Sequence, residues 1–448
     1  MRVVGARRTA PKGAPDATFR LSFARNHVSL PLAQRRLRAE EHTKGNDRTM
    51  THLIRTSTAI ALALSVAPAF AQDKPIKFSG QGVTDQEIVI GTHQDLSGPI
   101  KAYGVNGLNG MKLAVEEINA SGGINGRKLR LVAEDTAYDP KRAVLATQKM
   151  IELDKIFALV APLGSPTTLA SMPIALESGV FHLFPVTSAE FTYTMDPKQP
   201  QDRLKFATTM PYPEAMKRTM KDVVARVKTQ KICILYQDDE FGKQVQAGFD
   251  QYMEEAKLKP VSVTTYKRGA TDFSSQIARM KSDGCELVAL ATVVRETAGV
   301  MTEAKKVGWS PTFVTSAAAN VTDVIALGKD NVEGLYATGY FPTPYADTAT
   351  GKVKEWIERH QKMFGSDPNT QTIYGYDGVM NFADAAKRAG RNLTGETMLA
   401  ALEAGKGYVD MFTGVETKFS KTNHMSPFKL QLHQIKNGRW VIVSENIP

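Results

Sequence analysis

The sequence predicts an α/β protein of two lobes, each a doubly wound parallel sheet covered by helices. Three observations carry this. From Glu87 onward, short β-branched runs alternate with amphipathic stretches of helical length, the rhythm of parallel strands buried on both faces. The series runs twice, on either side of a polar, proline-bearing bend at 208–213. The chain beyond Ala71 is also longer than one core usually organises.

The first series reads EIVIGT (87–92), KLRLVAED (128–135), IFALVA (156–161) and VFHLFP (180–185) as strands, with helices expected over 107–120, 139–153 and 165–177. The second reads KICILYQ (231–237), VSVTTY (261–266), ELVALAT (286–292), TFVTS (312–316) and GLYATGY (334–340). The tail FKLQLHQIKNGRWVIVSEN (428–446) alternates around Asn437-Gly438, the strongest short-range hairpin signal.

Ahead of the first strand, 51–55 is polar with one positive charge, 58–66 is apolar but too short to span a bilayer, and Ala69-Phe70-Ala71 offers a small-x-small cleavage point before Gln72. Residues 50–71 therefore read as a signal peptide. Such a signal works only at an N-terminus, so 1–49 reads as a non-native or disordered extension and Met50 as the true start. Arg35-Arg36 stands too far ahead of the apolar run for a twin-arginine signal. With no Cys beside the cleavage point and no second apolar run of about 18 residues, the expectation is a free periplasmic protein without a membrane anchor.

The formal charge of +10 divides unevenly. Residues 1–71 hold 12 Lys/Arg against 4 Asp/Glu, which leaves a balance of +2 for the remainder. Nucleic-acid binding loses its compositional support. The two cysteines, Cys233 and Cys285, fall at the starts of two strands; a bridge between parallel strands is geometrically awkward, and two buried thiols are the favoured reading over a disulfide. The five histidines after Ala71 show no metal-ligand spacing. There is no Gly-x-Ser-x-Gly, Walker loop or Cys-His pairing. Gly104, Gly107 and Gly110, at the expected entry of the first helix, are spaced GxxGxxG, which is not the dinucleotide spacing. The expectation is a binder with no catalytic residues, metal or cofactor.

Ligands of open parallel sheets sit beyond the carboxyl ends of strands. The loops to consider are thus 95–106, 162–168, 186–190, 238–242, 293–296 and 317–320. In the second of these, Ser165 reads as an N-cap and Pro166 as the first helical residue, with the amides of Thr167 and Thr168 free to face an anion. An ordinary capped helix without a ligand explains the same residues.

Several segments together resemble the solute-binding proteins of branched-chain amino-acid ABC transporters, the type I periplasmic binding proteins. They are Leu96-Ser97-Gly98-Pro99 with Tyr103-Gly104, Leu113 through Asn119, Gly122-Gly123-Ile124-Asn125-Gly126, Asp139-Pro140, Leu163-Gly164-Ser165, Gln237 through Gly242, and Asp272-Phe273-Ser274 with Gln276. The resemblance implies three hinge crossings, near Thr209, Tyr340 and Thr417, between an N-terminal lobe of 85–209 plus 341–416 and a C-terminal lobe of 210–340 plus 417–448. It implies that Ser165, with Gly164 and Leu163 beside it, and Ser188 or Thr187 hold the ligand carboxylate, that Tyr103 and Phe241 supply aromatic walls, and that Tyr374 lines the rim.

The second lobe departs from the pattern. Where amino-acid binders of the family place an acidic residue to pair with the ligand ammonium, this chain has Ala317, and where an aromatic usually stands it has Val293. Burying an ammonium without a carboxylate partner costs several kcal/mol. The resemblance with this departure implies a small organic carboxylate lacking an α-amino group, aromatic or aliphatic, trapped by lobe closure and passed to an inner-membrane ABC permease. The alternatives are a branched-chain amino-acid receptor that uses Glu296 from the adjacent loop, and a ligand-sensing module for a signalling partner.

Overall fold

The computed structural model describes residues 75–447; the extension and signal-peptide readings lie outside them. Five strands, β1 (Glu87–Gln94), β2 (Lys128–Asp135), β3 (Ala158–Val160), β4 (Phe181–Leu183) and β5 (Lys205–Phe206), form one sheet in the order β2-β1-β3-β4-β5. Every pairing in it is parallel. Its first three connections carry α1 (Lys101–Ala120), α2 (Pro140–Glu152) and α3 (Ser165–Glu177). The period-2 alternation of a strand assigns the faces. Ile88 and Ile90 join Met111 and Ala114 of α1 on one side, and Val89 joins Met150 of α2 and Ala175 of α3 on the other.

The second sheet follows after α4 (Tyr212–Val227). It contains β6 (Ile232–Gln237), β7 (Ser262–Tyr266), β8 (Leu287–Ala291), β9 (Thr312–Thr315), β10 (Tyr336–Gly339), β11 (Gln431–Lys436) and β12 (Arg439–Ser444), in the order β12-β11-β10-β9-β8-β6-β7. The hairpin β11–β12 turns at Asn437 and Gly438, both at positive φ (52° and 68°), and adds the antiparallel edge. Its helices are α5 (Glu240–Glu255), α6 (Ser274–Ser282), α7 (Val294–Lys306) and α8 (Thr322–Gly328). The chain then returns to the first sheet with α9 (Gly351–Phe364), α10 (Thr370–Ala389) and α11 (Gly395–Leu402), whose Trp356, Phe382 and Leu399 sit in the core with Ile88 and Ile90. The third passage between lobes lies later than Thr417. Phe419 packs in the first core and the Ser426 amide bonds the Ala207 carbonyl at 3.0 Å, whereas Leu430 belongs to the second core.

Two local expectations are corrected. The first helix begins at Lys101, so Gly104, Gly107 and Gly110 lie inside it. They are close-approach positions toward protein backbone: a Cβ on Gly104 would stand 1.9 Å from the Asp95 carbonyl oxygen, and one on Gly110 would stand 2.0 Å from that of Thr372 in α10. The cysteines are also bridged. Cys285 precedes β8 instead of lying in it, while Cys233 is in β6, opposite Val288. That offset sets their Cα atoms 5.9 Å apart, within ordinary disulfide reach.

Candidate functional site

The carboxyl ends of both sheets face one cavity, with about 500 Å³ of unfilled space including its mouth. All ten residues singled out above, Tyr103, Leu163, Gly164, Ser165, Thr187, Ser188, Phe241, Val293, Ala317 and Tyr374, stand on its wall. So do Ile100, Tyr138, Val186, Thr209, Tyr212, Ala318 and Gln371, which the sequence reading did not pick out. Thr209 and Tyr212 belong to the bend already marked as the boundary between the two series. Tyr138 directly precedes the Asp139-Pro140 helix start. None of the wall residues carries a formal charge.

The polar end is built by the turn from β3 into α3. Gly164, not Ser165, is the N-cap, at φ 96°. A side chain there would be strained and would place its Cβ 2.5 Å from Cε2 of Tyr138. Ser165 becomes the first helical residue, and its hydroxyl pairs with that of Thr187 at 2.7 Å. The Thr168 amide already donates to the Gly164 carbonyl at 2.9 Å, which corrects its assignment as a free donor. The helix geometry leaves the amides of Ser165 and Thr167 without intrahelical acceptors, and Pro166 has none to offer. Two hydroxyls and a helix N-terminus thus converge at one end of the cavity, the chemistry of an anion site.

Tyr212 stands beside this cluster. Burial raises the pKa of its phenol, while hydrogen bonding from the Ser188 backbone and the Thr187 and Ser165 hydroxyls pulls the other way. The Tyr212 amide donates to the Ser188 carbonyl at 2.7 Å, and its ring meets Phe241 edge-on at 5.3 Å. Phe241 is positioned by Asp239, whose carboxylate caps α5 through the amides of Phe241 (3.1 Å) and Gly242 (3.3 Å). Tyr103 comes from the first turn of α1, with its hydroxyl buried and unpaired among the described residues.

Glu296 does not line the cavity. Its side chain is 0% exposed in the first turn of α7, with Arg295 3.6 Å away and neither carboxylate oxygen hydrogen-bonded among the described residues. Burial raises its pKa, with the Glu296 backbone amide and Arg295 opposing. Arg295 itself is half-exposed and also absent from the wall.

The lobes touch around the cavity. Arg268 of the second lobe donates to the Tyr138 carbonyl of the first at 3.1 Å. Thr370 donates to the Asn320 carbonyl at 2.8 Å, Asn369 to Asp323 at 2.9 Å, and the Glu190 amide to Gln244 at 3.3 Å. No helix among the described residues is long and apolar enough to cross a membrane, and they contain no cluster of three potential metal-ligating side chains.

Comparison with known proteins agrees with this architecture. The family described as "Periplasmic binding protein" matches residues 87–439. A Leu/Ile/Val-binding protein homolog 7 of Brucella suis biovar 1 (strain 1330) is 25% identical over 399 residues, covering 85% of this chain and 95% of its own. Among solved structures, a branched chain amino acid ABC transporter protein from Thermus thermophilus with bound valine aligns with TM-score 0.72 and 20% identity, covering 81% of this chain and 97% of its own. A solute binding protein of an R. palustris ABC transporter in complex with benzoate aligns with TM-score 0.71 and 18% identity over the same shares. The chain belongs to the periplasmic binding protein family, with the type I fold of its Leu/Ile/Val-binding branch.

Proposed function

We propose that this protein captures a small organic carboxylate without an α-amino group, aromatic or aliphatic, and presents it to an inner-membrane ABC permease after export to the periplasm. The observation that carries this reading is a wall without charged side chains that has hydroxyls and a helix N-terminus at one end and Tyr103, Tyr138, Phe241, Val293 and Tyr374 around the remainder. A monoanion fits such a wall. An ammonium does not, since an unpaired buried charge costs several kcal/mol. The mechanism is a shift from open to closed lobes, driven by contacts made to both at once. The benzoate-bound R. palustris protein is a relative with a ligand of this class.

A branched-chain amino-acid receptor is the second reading. What favours it is Glu296, whose two buried oxygens accept no hydrogen bond among the described residues and would gain one from a cation, together with the valine-bound Thermus thermophilus relative. Glu296 is not among the residues of the wall, which is why this reading ranks second. A thermal-shift screen of the purified protein with benzoate, aliphatic acids, leucine and valine separates the two. A ligand at about a hundred times its dissociation constant adds about 2.7 kcal/mol. Stabilisation by the simple acids alone supports the first reading, and stabilisation by leucine or valine overturns it.

A further inference from the structure

We infer that Arg268 is a positioning residue that clasps the two lobes beside the cavity, through a residue of its wall, so that it sets how much of the protein is closed whichever ligand the cavity takes. The clasp starts from a strained turn. Ala137 and Tyr138 both sit at positive φ (48° and 58°), a region that non-glycine residues seldom visit. The turn is held there by the Asp135 carboxylate, which accepts from the Ala137 amide at 2.9 Å, and by the Thr136 hydroxyl, which accepts from the Tyr138 amide at 3.3 Å. Strain of this kind persists only where surrounding structure enforces it. Its effect is to turn the Tyr138 ring onto the cavity wall and present the Tyr138 carbonyl to the opposite lobe.

Arg268 answers both features. One nitrogen, Nη1, donates to that carbonyl at 3.1 Å, and the guanidinium lies over the Tyr138 ring, 5.0 Å from its centroid. Its Nε donates to Asp239 Oδ2 at 3.0 Å, so the arginine is fixed to the cap of α5, the helix that brings Phe241 to the cavity. Only a planar, forked donor serves a carboxylate, a carbonyl and an aromatic face together. Two residues on the wall, Tyr138 and Phe241, are thereby joined across the cleft through one side chain that does not line it.

The test is the distribution of lobe-to-lobe distances measured by pulsed electron resonance, with no ligand added. Spin labels go on Lys141→Cys in the first lobe and Gln251→Cys in the second, two exposed positions; the native cysteines are already paired. The unsubstituted clasp should give a closed population that Arg268→Ala lowers about tenfold. Arg268→Lys, which keeps the charge beside Asp239 but not the fork, should restore part of it, with a cooperative melting transition kept in both variants even where the loss of the buried Asp239 partner lowers its midpoint. The inference is overturned if Arg268→Ala leaves the distribution as it was, if no closed population exists to begin with, or if lysine restores it in full.

Discussion

Removing the Ser165 hydroxyl is expected to weaken binding of a carboxylate such as benzoate about 10- to 150-fold. The figure follows from the loss of one hydrogen bond to a charged group, about 1.5–3 kcal/mol, in a cavity with no cation to take over. Ser165→Ala also removes the 2.7 Å partner of Thr187, but the Thr187 oxygen keeps a donor in the Ala189 amide at 3.3 Å. The cost to the free protein should stay near the 0.5–1.5 kcal/mol of an ordinary hydrogen bond. Calorimetric titration of both proteins with benzoate, alongside their melting curves, separates the two effects. If the dissociation constants agree within about threefold while the variant folds normally, the anion is held elsewhere and the argument from the α3 N-terminus fails.

Gly164→Ala should be worse for folding than Ser165→Ala, because the cap's φ of 96° and the 2.5 Å approach to Tyr138 both penalise a Cβ; a loss of about 1–3 kcal/mol in urea unfolding is expected, and an unchanged midpoint would refute it. Glu296 has its pKa raised by burial, so the folded state holds that proton more tightly and its contribution to stability is lost as pH rises above the usual carboxylate range. Glu296→Gln should therefore stabilise the protein at pH 8 and progressively less towards pH 4, read from melting temperatures across that range, and a gain that grows on acidification would contradict it. Reducing Cys233–Cys285, separated by 52 residues, should cost up to about 4 kcal/mol by the loop-closure relation, measured as a shift of the urea midpoint with and without reductant.

Most strands were legible because parallel sheets demand β-branched runs with turn residues between them; β2 begins and ends at the residues expected, and the other strands that were expected differ only at their ends. The start of α1 was not. Ile100 caps it without a side-chain hydrogen bond, and three glycines in its first ten residues look like breakers until α10 and Asp95 are seen against them. β5 was missed because two residues, Lys205 and Phe206, carry no period. At the candidate site, the ten wall residues came from family resemblance and helix-start chemistry together. Tyr138 and Tyr212 escaped both, since a turn held at positive φ and a hinge residue leave no pattern in a single sequence.

The disulfide has a mechanical meaning. Both cysteines belong to the lobe built on the seven-stranded sheet, Cys233 within β6 and Cys285 just ahead of β8, and no passage between the lobes and no residue of the cavity wall is a cysteine. Oxidation hardens one jaw and leaves the bite free, so a reducing environment would soften that jaw without touching the motion that grips a solute.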